Sequence, residues 1–197
     1  MKDRDRPWIT AEELGADVLE STPTPTSAAP SDGPTPLSGE ELQLLEAIAA
    51  RIFPTTSTPG AAEAGAANYV NVALGGAYAS SLPRYRRGLA ELQRYCASTL
   101  GAPFPELEVA KQIETLRALQ LGTITEVESS DDFFELVRRH VLEGVFCEPS
   151  YGGNRDLVGW AVVGFPGQRY GYADPYINKR LDLAPIAVDG PPRAEDS

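Results

Sequence analysis

The chain has 197 residues and a mass of 21.1 kDa, with 42% hydrophobic, 23% charged and 8% aromatic residues, enough for one ordinary core and short for two. A formal charge of −11 and a pI near 4.6 argue against a nucleic-acid binder, since phosphate contacts need clustered Lys and Arg. No apolar run reaches the roughly 18 residues that would span a bilayer, and the two cysteines, Cys96 and Cys147, supply neither a disulfide framework nor a metal-ligand spacing.

Near the N-terminus, Thr10 and Glu13 have capping-box spacing, with Ile9 and Leu14 placed as a hydrophobic staple. Leu14 and Val18 continue one apolar stripe, which predicts a helix of about ten residues that is marginal in water unless something receives it. The stretch Ser21 to Pro36, with prolines among Ser, Thr and Ala, favours an extended, semi-rigid tether. Residues 1–36 therefore read either as a short helix, carrying Trp8, on a linker, or as a disordered tail.

Ser38 and Glu41 make a second capping box, and Leu42, Leu45, Ile48, Ala49, Ile52 and Phe53 form a helical stripe that Pro54 ends. Pro59 to Leu74 is Ala-rich and reads as a helix with Ala66, Tyr69, Val70 and Ala73 on one face, closed by Gly75-Gly76; its small residues permit close packing. Pro83 stands near the start of another helix, whose face runs through Tyr85, Leu89, Leu92, Tyr95 and Cys96 to Leu100 and Gly101. Arg84, Arg86 and Arg87 on that helix are expected to form a solvated face, and Cys96 to be a small buried hydrophobe.

Pro105 opens the next predicted helix, with Leu107, Ala110, Ile113, Leu116 and Leu119 or Gln120 along its stripe and Gly122 at its stop. Thr123 to Glu128 reads as a loop. Ser130-Asp131-Asp132 offers acceptors and negative charge to a helix N-terminus, and Phe133, Leu136, Val137, His140, Val141 and Val145 supply the stripe of that helix. Pro149 forces it to stop by about Cys147.

Gly152 and Gly153 then allow positive φ, and Asn154 tolerates the left-handed region or caps the next element. A short helix from about Arg155 is expected, with Leu157, Trp160 and Ala161 on one face and Gly164 at its C-terminal position. Beyond it, Tyr170, Tyr172, Pro175 and Tyr176 form an aromatic segment without helical period, and residues 184–197 read as a disordered tail. The whole predicts an all-α chain: one compact multi-helix domain over residues 37–183, an extended N-terminal segment, and little or no sheet.

Catalytic equipment is sparse. A single histidine, His140, builds no Cys/His zinc site, and its place on an apolar stripe makes it a hydrogen-bonded packing residue before a general base. No Gly-x-Gly-x-x-Gly follows a strand, and there is no P-loop and no Gly-x-Ser-x-Gly nucleophile elbow. Cys147 is the one thiol worth testing for reactivity.

Taken in order, Tyr151-Gly152-Gly153-Asn154-Arg155-Asp156, Gly159-Trp160 and Gly164-Phe165-Pro166-Gly167 resemble the signature of the gluconate 2-dehydrogenase subunit 3 family. The resemblance extends upstream to Leu37-Ser38, Ile52-Phe53-Pro54 and Thr58-Pro59-Gly60-Ala61-Ala62-Glu63-Ala64-Gly65. It covers about three quarters of the chain, from Leu37 to Leu183. It implies a non-catalytic small subunit that holds no cofactor itself and clasps a large FAD-binding oxidoreductase of the glucose-methanol-choline type. In exported complexes of this kind a cytochrome c subunit often takes the electrons.

On that implication Tyr151, Gly152, Gly153, Asn154, Arg155, Trp160, Phe165, Pro166 and Trp8 are the candidate partner interface, the Trp8 helix docking on the large subunit. The family's small subunits often carry a twin-arginine export signal; here Met1 to Arg6 alternates charges without an apolar h-region, so cytoplasm is the expected location, and transport with a signal-bearing partner is the alternative. Two other functions stay open on the residues alone: a stand-alone helical interaction module, and an independent enzyme using His140.

Overall fold

The computed structural model describes residues 36–167 and 185–187. The readings made for the Trp8 helix, the Pro-rich linker, the Tyr170–Tyr176 segment and the C-terminal tail lie outside the described residues, as does the Leu183 boundary.

Ser38 starts the first helix, α1 (Gly39–Ile52), through a complete capping box: its hydroxyl accepts from the Glu41 amide, and the Glu41 carboxylate accepts from the Ser38 amide. Leu44, Leu45, Ile48 and Ala49 form its buried face. The helix ends at Phe53, ahead of Pro54.

The next helix, α2 (Ala66–Leu74), begins later than Pro59, because Gly65 adopts φ +67 and breaks the helical path. Residues 55–65 instead form a turn held by the Glu63 carboxylate, which accepts from the Thr55 hydroxyl and the Gly60 amide. Ala66, Ala67, Val70, Asn71 and Leu74 are buried in α2, whereas Tyr69 and Ala73 are only half-buried.

A 3-10 turn (Ala79–Ser81) leads into α3 (Leu82–Tyr95), which buries Tyr85, Gly88, Leu89 and Leu92 and continues as a π turn, Cys96–Leu100, to a left-handed Gly101. Arg86 and Arg87 lie on an exposed face as expected and Arg84 is half-buried, and all three also make contacts. Arg84 donates to the carbonyls of Glu128 and Ser129 and lies over the Phe133 ring, Arg86 donates to the Pro36 carbonyl, and Arg87 pairs with Glu128. They tie α3 to the chain before α1 and to the loop before the longest helix.

Pro105 lies in a 3-10 turn, Phe104–Glu106, and α4 (Val109–Gln120) starts beyond it. Its buried face is Gln112, Thr115, Leu116 and Leu119, while Ala110 and Ile113 are exposed. The helix is rotated from the hydrophobic reading because its two buried polar residues are satisfied: Gln112 donates to the Phe104 and Pro105 carbonyls, and Thr115 to the Lys111 carbonyl.

Residues 123–128 form a loop whose Ile124 and Val127 are buried. It delivers the chain to α5 (Ser130–Phe146), which buries Phe133, Phe134, Val137, His140, Val141, Gly144 and Val145. No side chain caps its N-terminus; Ser129 takes φ 43, and Arg84 binds the carbonyls just before the helix. Helix α5 is the shared wall of the bundle, packing on α1, α2, α3 and α4. Among the described residues there are six α-helices and no strand.

Close approach makes the α2–α5 contact. A Cβ at Gly144 would lie 2.9 Å from the Ala66 carbonyl oxygen and 3.0 Å from its Cα, both backbone atoms that cannot step aside. Gly144→Ala is expected to destabilise the protein by about 1–3 kcal/mol through overpacking, measured by denaturant unfolding. Gly39→Ala, with open space around the new methyl, is expected to change stability by less than about 1 kcal/mol.

Candidate functional site

Every α-helix ends with carbonyl groups that have no partner within the helix. In α5 these belong to a helix packed on several others, so water cannot satisfy all of them. The chain beyond α5 turns back and supplies the donors itself. The Cys147 amide returns to the Glu143 carbonyl at 2.7 Å, and the Asn154 amide reaches the Gly144 carbonyl at 2.7 Å. The Trp160 indole donates to the Phe146 carbonyl at 2.7 Å, and the Asn154 side-chain nitrogen to the Cys147 carbonyl at 2.9 Å.

Asn154 is fully buried, and its side-chain oxygen accepts from the Gly159 amide at 2.8 Å. Because one end must donate to a carbonyl and the other accept from an amide, the side chain has one satisfied orientation, and aspartate could not supply it. Its backbone sits at φ 41, a conformation that asparagine tolerates better than most residues.

Two glycines allow the approach. A Cβ on Gly153 would run into the Gly144 carbonyl and the Cys147 sulfur, and one on Gly159 into the Val145 carbonyl. Of the adjacent pair only Gly152 has positive φ, at +91, so Gly153 is needed for space and not for conformation. The helix expected from Arg155 is first a 3-10 turn, Arg155–Leu157, in which Asp156 and Leu157 are also left-handed; α6 (Val158–Val163) starts after it and ends at a left-handed Gly164. A buried Leu157 at φ 59 is strained, and the surrounding hydrogen bonds hold it there. Leu157 and Trp160 face inward as expected, but Ala161 is exposed.

The corner also meets the turn that precedes α2, about ninety residues earlier in the chain. The Arg155 amide donates to the Ala64 carbonyl, Asn68 donates to the Gly152 carbonyl, and the Arg155 guanidinium lies over Gly65 so closely that a Cβ there would be 3.0 Å from it. The two sequence motifs, Gly60–Gly65 and Tyr151–Trp160, form one structural unit. The family model for gluconate 2-dehydrogenase subunit 3 matches residues 39–167, spanning both.

The chain belongs to the gluconate 2-dehydrogenase subunit 3 family. No curated protein and no solved structure matches it. In this subunit 3 chain the candidate interface residues separate into two sets. Gly153, Asn154 and Trp160 are buried, Trp160 with 7% of its surface accessible, while Tyr151 at 65% and Phe165 at 44% stand at the surface with Arg155 beside them. Gly152 and Pro166 are half-buried. Phe165 meets Trp160 edge-on at 4.9 Å, so the exposed ring is braced by the buried one. Trp8 lies outside the described residues. The sequence reading did not single out Asn68, Gly159 as a spacing residue, or Glu63; the Gly60-x-x-Glu63 spacing, which returns a carboxylate to an amide three residues back, was a usable signal for the last.

The two side chains with possible chemistry of their own are constrained. His140 is 2% exposed; its Nδ1 pairs with the Tyr85 hydroxyl at 3.0 Å, and its ring stacks on Tyr78 at 4.3 Å. Tyr78 in turn donates to Glu143 at 3.0 Å. A general base needs a substrate within reach, and this ring is enclosed by its own bundle. Cys147 is half-buried, its thiol directed at the Gly144 carbonyl, and burial pushes it up to about 11, away from the thiolate a reactive cysteine needs. Among the described residues no group of three His, Cys, Asp or Glu side chains is placed to hold a metal, and no helix is long and apolar enough to cross a membrane.

Asn154→Ala is expected to cost about 2–4 kcal/mol, since it strands two buried backbone groups and puts alanine at positive φ. Asn154→Gly keeps the backbone conformation and is expected to lose less, a difference that thermal unfolding reads directly. For His140, burial holds the imidazole below its ordinary 6.5, against a smaller upward pull from Glu143. The unfolded chain therefore binds the proton more tightly than the folded one. Stability is expected to fall as pH drops below about 6.5 and to lose no further contribution from this group once pH is below its folded value. In His140→Gln that part of the slope should vanish, seen as a flatter stability profile between pH 7 and 5.

Proposed function

We propose that this chain is a non-catalytic small subunit that binds and stabilises a large FAD-dependent dehydrogenase of the glucose-methanol-choline type, the flavin residing in the partner. The observation that carries this reading is the division of labour at the corner. Buried Asn154 and Trp160 lock the backbone from inside, and that rigid frame holds Tyr151, Arg155 and Phe165 out toward solvent.

Exposed large rings beside a guanidinium are the composition of binding hot spots, and holding them rigid lowers the ordering cost of association. The partner surface this fits has apolar recesses for Tyr151 and Phe165 and an acceptor for Arg155. Among the described residues His140 is enclosed and burial pushes the Cys147 thiol up, which favours binding over catalysis as the task of this part of the chain. Where such a complex is exported, a cytochrome c subunit would accept the electrons.

Co-expression with a large FAD-dependent dehydrogenase of the glucose-methanol-choline type from the same source tests the reading. The large subunit should be more soluble and more fully loaded with flavin in the presence of this chain. Equal solubility and equal loading without it would sink the proposal. Within the complex, Tyr151→Ala should weaken association by about 2 kcal/mol or more if its ring is an anchor, with the melting temperature of the free subunit unchanged. Trp160→Ala should lower the stability of the free subunit itself, so the two variants separate contact from support.

A further inference from the structure

Between α1 and α3 lies an open groove of about 360 Å³, lined by Glu40, Glu41 and Leu44 on one side and Leu89, Gln93 and Arg94 on the other. Its floor is apolar, with the Leu44 and Leu89 side chains at its base, and its ends differ in charge. Glu40 and Glu41 stand at the end next to Arg86, and Arg94 stands about two helical turns further along α3. Arg94 has no ion-pair partner among the described residues.

The chain enters the described fold at this groove's acidic end. Arg86 holds the Pro36 carbonyl and lies 4.0 Å from Glu41, and Asn71 holds the Leu37 amide. Everything N-terminal to Pro36 is therefore tethered within reach. Residues 19–35, at about 3.1 Å each when proline-extended, cover roughly 50 Å, several times the length of the groove.

We infer that the groove receives the chain's own N-terminal segment, residues 8–18. The segment has the required pattern: a capping box at Thr10 and Glu13, then Leu14 and Val18 on one face, with Trp8 two residues ahead of the cap. From its Thr10 cap to Val18 the helix spans about 12 Å at 1.5 Å per residue, against about 12 Å from Leu89 in α3 to Ala97 in the π turn that continues it. Charge sets its direction. Lys2, Arg4 and Arg6 precede it, offset in part by Asp3 and Asp5, and Glu12, Glu13 and Asp17 lie within it, so the acidic body of the segment is the stronger guide and is placed toward Arg94, with the N-terminal end at Glu40 and Glu41. A helix this short gains its stability from the surface that receives it.

Backbone amide exchange on the full chain, followed residue by residue by NMR, tests the docking. Amides 11–18 should be protected at least tenfold over those of a synthetic peptide of residues 1–20. The double variant Ala90→Glu, Ala97→Glu changes two exposed groove residues and should return those amides to the peptide rate while the circular dichroism of the bundle is unchanged. Three results would overturn the inference: exchange at the peptide rate in the unmodified chain, protection indifferent to the double variant, or protection that grows with protein concentration, which would make a second copy the occupant. Protection that arises only when the flavoprotein is added would assign the segment to the partner and overturn it as well.

Discussion

The C-terminal carbonyls of α5 are the constraint on which the rest of this structure depends. A central helix packed on four others ends where solvent has limited access, and the groups it leaves unpaired must be satisfied by protein. Asn154, Trp160 and the Cys147 amide do that, and each bond also fixes the path of the chain. Capping and corner are one event: the glycines at 153 and 159 bring the returning backbone near enough to donate, and the donation holds three non-glycine residues in the left-handed region.

That same frame explains why residues close in sequence have opposite fates. Tyr151 and Trp160 look alike as large aromatics in a glycine-rich loop. The indole has a ring N–H that a buried carbonyl needs, and it is drawn inward. The phenol group of Tyr151 has no such vacancy to fill and remains outside, where it is available to another protein. A rigid corner with its anchors already oriented is suited to recognition, and the Arg155 contact with the Gly60–Gly65 turn extends the rigid unit across the bundle.

Much of the architecture was legible from periodicity and punctuation. The capping box at Ser38, the stop ahead of Pro54, the α3 and α5 stripes and the left-handed Gly164 all follow from local rules. Where the buried face departs from the hydrophobic pattern, hydrogen bonding by polar side chains decides it, in α4 to carbonyls only four to eight residues away. Gln112 and Thr115 displaced Ala110 and Ile113 from the buried face of α4 because carbonyls at Phe104, Pro105 and Lys111 accept from them. Arg86 and Arg87 are the exposed charges they were read to be, and only the fold shows that the carbonyls at Pro36, Glu128 and Ser129, and the Glu128 carboxylate, are brought beside this arginine run. The onset of α2 moved because one glycine chose positive φ, a choice settled by what packs over it.

By itself the sequence determined an all-helical chain, the number and approximate limits of its main helices, and the family to which its two glycine-bearing motifs point. These depend on interactions within one or two turns, which a linear pattern records. Only the tertiary structure decided that the motifs touch, that Asn154 and Trp160 are internal struts while Tyr151 and Phe165 are surface anchors, and that His140 is enclosed between Tyr78 and Tyr85. The physical reason is that burial and hydrogen-bond satisfaction belong to the whole packed bundle: whether a side chain is needed inside depends on which backbone groups elsewhere have been left without a partner.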